Sequence, residues 1–164
     1  WLLVQNETSA VDHAIRRAKD CGLRVALNPA PFDSRVLCYP LELVDLLCLN
    51  EVEGAAMTGL SEPEAIWSAL AGRLVDCEVV LTMGAAGVIG HGSSGAIHVS
   101  ALPVRAVDTT AAGDTFLGYY LASRNRGIDR QESLEVATRA AALCVTKYGA
   151  IDSIPRWDAV QAFV

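Results

Sequence analysis

The first half of the chain repeats one unit: a short apolar run, an amphipathic helical stretch, and a Gly or Pro at the joint. Trp1–Gln5 reads as a strand; Val11, Ile15 and Ala18 then recur at helical spacing up to Cys21-Gly22. Arg24–Leu27 is a second strand, closed by Asn28-Pro29-Ala30-Pro31. Leu46–Leu49 is a third, followed by a helix from Glu51 to a stop at Gly59, and Glu62–Leu74 forms another helix with Pro63 early in its first turn. Glu78–Met83 is the fourth strand. Short, wholly apolar strands separated by helices bury both faces, which demands an α/β fold with a mostly parallel sheet covered by helices.

After Met83 the period changes. Gly87–His91 and Ala96–Ser100 are β-like runs joined by Gly92-Ser93-Ser94-Gly95, a hairpin by its turn chemistry. Val104–Val107 reads as a further strand. Two long helices follow, Gly113–Arg126 and Arg130–Lys147, with a short helix after Pro155. No internal repeat, low-complexity tract or linker divides the chain, so residues 1–164 are expected to form one domain or one contiguous part of one.

The chain carries a net charge of −6 without a basic stripe, which argues against a nucleic-acid partner. No window holds the ~20 apolar residues needed to span a bilayer, so no membrane partner is expected. Five cysteines, an odd number without a C-x-x-C pair, suit buried small hydrophobes in a reducing cytoplasm better than disulfides or zinc. Trp1 opens directly as a strand, without an initiator Met or a signal-peptide pattern, and the natural protein is therefore expected to be longer.

The most informative segment is Ala106-Val107-Asp108-Thr109-Thr110-Ala111-Ala112-Gly113-Asp114-Thr115-Phe116. A run of small residues opens a helix, so free backbone N–H groups converge at a positive helix terminus where no bulky side chain obstructs an anion. Asp114 falls in the first turn, where a carboxylate is favoured and can face whatever the amides hold. On its own Asp114 reads as a helix cap; with Ala-Ala-Gly before it, the balance shifts toward catalysis.

Asp108–Phe116 resembles the C-terminal signature of the ribokinase-like (PfkB) carbohydrate kinases, and further segments match in the same order. Asn28-Pro29-Ala30-Pro31 resembles a strand-end motif of the family. Asn50-Glu51-Val52-Glu53, with Met57-Thr58-Gly59 behind it, is similar to its N-x-x-E motif. Thr82-Met83-Gly84-Ala85-Ala86-Gly87 resembles its T-x-G-x-x-G nucleotide loop, and Val145–Ala150 with Ser153 and Pro155 its final loop. Tyr119 departs from the signature, which normally has Ala or Gly there, and is expected to alter helix packing rather than chemistry.

The resemblance implies a ribokinase-like three-layer α/β/α fold whose N-terminal strands and lid are absent. It further implies ATP-dependent phosphorylation of a sugar hydroxyl, with ribose to ribose 5-phosphate preferred. Asp114 would be the general base, and the amides of Ala111, Ala112 and Gly113 would stabilise the transferring phosphoryl group. Asn50 and Glu53 would act near the triphosphate, with Glu53 reaching Mg2+ through water; read alone, Glu53 is an exposed helix carboxylate. Thr82, Gly84 and Gly87 would line the nucleotide, although the same pattern is a common strand-to-hairpin turn, and Thr138 would face the base. A K+ site would fall on Asp108, Thr110, Cys144, Lys147, Gly149 and Ser153, largely through backbone carbonyls. Glu7 would touch the sugar hydroxyls, or simply precede a helix N-terminus.

The family's upstream half, which carries most sugar-binding groups, a lid and the dimer contact, has no counterpart here. The resemblance therefore implies a homodimeric full-length protein and an inactive chain when these residues stand alone. The alternatives are a fructokinase or another sugar or nucleoside kinase of the family, and, from a different class, a nucleotide-binding module without catalysis. A Rossmann dinucleotide binder ranks last, because G-x-G-x-x-G is missing after the first strand.

Overall fold

A computed structural model of the chain describes residues 1–92 and 95–163. It forms two compact units, Trp1–Met83 and Gly84–Val164. The first contains β1 (Leu2–Gln5), α1 (Val11–Asp20), β2 (Val25–Asn28), β3 (Leu46–Asn50), α2 (Glu51–Thr58), α3 (Pro63–Arg73) and β4 (Glu78–Thr82). All four strands run parallel, and each pairs with the next in the chain. Val25, Leu27, Leu46, Leu47, Leu49, Val79 and Leu81 are almost wholly excluded from solvent. The continuous apolar runs of β2, β3 and β4 thus behave as strands buried on both faces, whereas Leu3 of β1 is exposed.

The helices of this unit begin and end where their punctuation dictates. α1 buries Val11, Ile15 and Ala18 along one stripe. Asn50 caps α2, Pro63 opens α3, and Gly59 closes α2 in the left-handed conformation. Gly54 lets α2 approach its neighbour closely: a Cβ there would lie 2.6 Å from Ile66 Cγ2. Two short 3-10 turns, Ser34–Cys38 and Leu41–Leu43, occupy the stretch between β2 and β3; nothing in the periodicity announces them.

The second unit holds β5 (Val88–Gly92), β6 (Gly95–Val99), α4 (Ala112–Asn125), α5 (Arg130–Cys144) and α6 (Trp157–Ala162). β5 and β6 form the expected antiparallel ribbon; Ser93 and Ser94 of the predicted turn lie outside the described residues. Two expectations are corrected. Val104–Val107 is not a strand: Pro103 supplies no donor, Arg105–Val107 are exposed, and the Val107 N–H bonds instead to Val145 O at 2.7 Å. α5 ends at Cys144 rather than Lys147, because Thr146 and Lys147 turn back in tight hydrogen bonds to Leu143 O and Cys144 O.

Tyr119 does set helix packing, as its departure from the signature suggests. Its ring stacks on Trp157 at 5.6 Å, its hydroxyl donates to Pro155 O at 2.6 Å, and the Arg126 guanidinium covers the other aromatic partner at 3.9 Å from the Trp157 centroid. This stack fastens α6 over the small buried cluster of Val136, Ala140 and Val160. The buried cysteines are Cys48, Cys77 and Cys144, while Cys21 and Cys38 are exposed, and all five are free thiols. No helix among the described residues is long and apolar enough to cross a membrane.

Candidate active site

In the first unit the carboxyl ends of the four parallel strands carry a row of polar side chains. Gln5 of β1 donates to Asn28 Oδ1 at 2.9 Å, Asn28 donates to Cys48 O at 2.9 Å, and Asn50 of β3 stands in register with Thr82 of β4. Thr82 Oγ1 donates to Leu49 O at 3.3 Å. Ligands of open α/β sheets bind beyond these strand ends. Asn50, Glu53 and Thr82 are thus brought together, and Glu7 is exposed in the turn after β1.

The N-x-x-E motif is a reciprocal capping box. Asn50 Oδ1 accepts the Glu53 N–H and Glu53 Oε2 accepts the Asn50 N–H, each at 2.9 Å. Glu53 is not the exposed carboxylate its position on a helix suggests; it is 7% exposed. Burial raises its pKa against the lowering effect of the two Asn50 hydrogen bonds. No Lys or Arg pairs with it among the described residues. A buried, acceptor-only carboxylate with one oxygen left over by the cap fits a hydrated divalent cation.

Capping and ionisation can be separated by mutation. Because the folded-state pKa of Glu53 lies above the usual value, the native state favours the neutral acid. That contribution to stability is complete below the usual carboxylate range and is lost as pH rises through the raised pKa. Glu53→Gln keeps an acceptor for the Asn50 N–H and should fold at neutral pH at least as stably as the parent, with this pH dependence gone. Glu53→Ala should lose about 1 kcal/mol, the usual value of a cap. Urea titrations at several pH values would show both effects, and a large loss in the Gln variant would contradict the assignment.

Sequence reasoning missed Asn6, Asp33 and Tyr39. Asn6 is buried; its amide donates to Pro31 O at 2.7 Å and Asp33 Oδ2 at 3.2 Å, and it accepts the Tyr39 hydroxyl. The Arg35 guanidinium and amide hold the Asp33 carboxyl down at about 2. These contacts fix the turn that presents Glu7. The signal available was a polar Asn directly behind an apolar strand.

In the second unit Gly84 opens the 3-10 turn ahead of β5 and Gly87 follows it, both at positive φ. The run of small residues does open α4. Its N-cap is Ala111 at φ 60°, ψ 11°, and no side chain caps the helix. A left-handed alanine costs roughly 1–2 kcal/mol relative to the right-handed form. The amides of Ala111 and Gly113 meet no carbonyl acceptor among the described residues, whereas Ala112 N–H bonds to Thr109 O at 3.2 Å. Asp114 is exposed at the third helical position and is not the cap.

Behind this turn the expected cation residues converge, with one exception. The Asp108 carboxylate accepts Thr110 N–H at 2.9 Å and Gly149 N–H at 3.0 Å, and hydrogen bonding from the Thr110 side chain, then from these two amides, lowers its pKa. Cys144 Sγ lies 3.7 Å from Thr110 O and 3.2 Å from Ser153 Oγ. A carboxylate, a carbonyl and a hydroxyl are donor types that suit a hard cation. Lys147 is exposed and brings a positive charge, so only its carbonyl suits such a site. No group of three or more His, Cys, Asp or Glu side chains gathers among the described residues. Thr138 is buried in mid-α5 with its hydroxyl unpartnered, and no hydrogen bond joins it to the other candidates.

Known proteins resemble this chain in sequence and in fold. The family model described as pfkB family carbohydrate kinase matches residues 3–157. A ribokinase of Haemophilus influenzae is 37% identical over 161 residues, covering 94% of this chain and 52% of that protein. A deoxyribokinase of Salmonella typhi is 35% identical over 162 residues, 94% of this chain and 51% of that protein. The structure of an Arabidopsis thaliana ribokinase complexed with ribose and ATP superposes with a TM-score of 0.86 at 31% identity, covering 98% of this chain and 54% of that one. The chain thus spans about half the length of the relatives it matches, and its ribokinase-like α/β fold is that of their corresponding half. From motif order, fold and sequence identity together, the chain belongs to the pfkB family of carbohydrate kinases.

Proposed function

We propose that the whole protein transfers the γ-phosphoryl group of ATP to a sugar hydroxyl, with ribose to ribose 5-phosphate the preferred reaction. The observation that carries this reading is the opening of α4, where left-handed Ala111 leaves amides without carbonyl acceptors beside the exposed Asp114 carboxylate. Asp114 takes the proton as the sugar O–H bond breaks; the new O–P bond forms, the bond to the β-phosphate oxygen breaks, and ADP leaves. The Ala111 and Gly113 amides, which meet no carbonyl acceptor among the described residues, stabilise the negative charge on the phosphoryl oxygens, while the Ala112 N–H is engaged by Thr109 O; the reaction is governed by positioning and electrostatics.

Asn50, Thr82, Gly84 and Gly87 line the nucleotide in this reading, Thr138 faces its base, and Glu7 meets the sugar hydroxyls. Glu53 holds hydrated Mg2+, which when bound neutralises phosphate charge. Asp108, Thr110, Cys144, Gly149, Ser153 and the Lys147 carbonyl hold K+, which when bound supplies positive charge behind the anion-binding turn. The whole protein is a cytoplasmic homodimer, and these residues alone do not turn over. Deoxyribose is the nearest competing substrate, since the Salmonella typhi relative is a deoxyribokinase; fructose and nucleosides come next.

The test is ATP consumption with ribose, 2-deoxyribose, fructose and nucleosides, on the chain and on the longest product of its gene. Turnover by the long form with a pentose is the expected result. Failure of the long form to bind ATP with Mg2+ would sink the kinase reading, while binding without turnover on any acceptor would favour a nucleotide-binding module.

A further inference from the structure

Thr110, ahead of Ala111, is held through both of its backbone polar groups. Asp108 Oδ1 accepts the Thr110 N–H at 2.9 Å, and the thiol of Cys144 faces Thr110 O at 3.7 Å. Cys144 is fully buried, and its sulfur also lies 3.4 Å from Thr115 Oγ1 and 3.2 Å from Ser153 Oγ. The Ser153 hydroxyl is 2.7 Å from Ala150 O. Three protons are therefore shared in this cluster. One assignment gives each its own acceptor: Ser153 O–H to Ala150 O, Thr115 O–H to the sulfur, and Cys144 S–H to Thr110 O.

A trans peptide is planar, with its C=O and N–H pointing in opposite directions. A Thr110 carbonyl drawn inward to a buried thiol therefore turns the Ala111 N–H outward. The same pinning holds Ala111 at φ 60°, a conformation an alanine does not choose for itself. We propose that Cys144 is a positioning residue whose thiol, with Asp108 holding the peptide before it, fixes the Thr110–Ala111 peptide in the orientation that aims the Ala111 amide at the transferring phosphoryl group. The geometry stands by itself; its effect on turnover rests on the kinase reading.

Cys144→Val fills similar space without a donor, and Cys144→Ser keeps one. In the 164-residue chain, in buffer free of sodium and potassium so that no cation substitutes at the carbonyl, NMR reads φ of Ala111 from its three-bond HN–Hα coupling and Cα shift. The valine variant should lose the left-handed signature and the serine variant should keep it. If valine prevents folding, Cys144→Ala removes the donor without bulk and answers the same question. Retention of the left-handed signature in the donor-free variant overturns the proposal.

In the full-length kinase the valine variant should lose kcat by about 10²-fold, the effect of removing one preorganised donor, with the sugar KM unchanged and with partial recovery in the serine variant. A merely structural role would affect KM and melting temperature without separating serine from valine. Normal kcat in a variant that has lost the Ala111 signature overturns the positioning role. Absence of turnover in the parent enzyme overturns the kinase reading instead, and the coupling measurement still decides the peptide geometry.

Discussion

Asp114→Asn should lower sugar phosphorylation by the full-length kinase by about 10²–10⁴-fold, the range of a general base, while ATP affinity stays near that of the parent. The substitution keeps size and hydrogen-bonding shape but removes the basic carboxylate. Asp114 is exposed at the third position of α4, whose N-cap is Ala111. Loss of a negative charge in the first turn costs about 0.3–1 kcal/mol through the helix dipole, too little to unfold a domain. Steady-state rates and ATP titrations on parent and variant separate the two effects. An Asn variant with undiminished rate would remove Asp114 from the chemistry and leave the turn before α4 as an anion site alone.

A second large effect is expected in stability, at Gly87. A Cβ built there lies 2.1 Å from Val99 O, 2.8 Å from Ala101 N and 2.9 Å from Ser100 Cα, and all three obstacles are backbone. The residue also sits at φ 103°, which L side chains rarely adopt. Gly87→Ala therefore combines overpacking, about 1–3 kcal/mol, with backbone strain, about 1–2 kcal/mol. A loss on the order of 2–5 kcal/mol consumes much of the stability of a typical domain. Gly84, three residues earlier in the same T-x-G-x-x-G run, has φ 53° and open space within 4 Å, so Gly84→Ala should cost only the strain of about 1–2 kcal/mol. Thermal melts followed by circular dichroism compare the two; equal melting temperatures would show that the β5–β6 ribbon shifts to accommodate a methyl group.

The contrast between these glycines shows where a sequence is legible. The T-x-G-x-x-G spacing marks both positions alike, yet the need for Gly87 comes from Val99 and its neighbours on another strand, which no local pattern contains. The strands of the first unit were readable because Val25–Leu27, Leu46–Leu49 and Val79–Leu81 are uninterrupted apolar runs, and burial on both faces leaves no other pattern. Val104–Val107 is apolar at three of its four positions, but Arg105 interrupts it, and Pro103 and an exposed flank leave its Val107 amide to a loop carbonyl. Asn50 and Glu53 were readable as a motif, whereas their reciprocal hydrogen bonds assign them a structural task that family resemblance alone does not separate from chemistry. Asn6 escaped notice because its partners, Pro31, Asp33 and Tyr39, lie some thirty residues away. Cys144 was placed in the cation set for its carbonyl; that its thiol reaches Thr110 follows only from the packing of α5.

The strand order of the first unit has a kinetic consequence. Since β1 pairs with β2, β2 with β3 and β3 with β4, every pairing is made with the next strand to emerge in synthesis. None has to wait for a distant segment, so the loop-closure entropy of each step stays that of a single crossover. A nascent chain can extend this sheet one strand at a time, and the edge left open at each stage is the one the following strand covers.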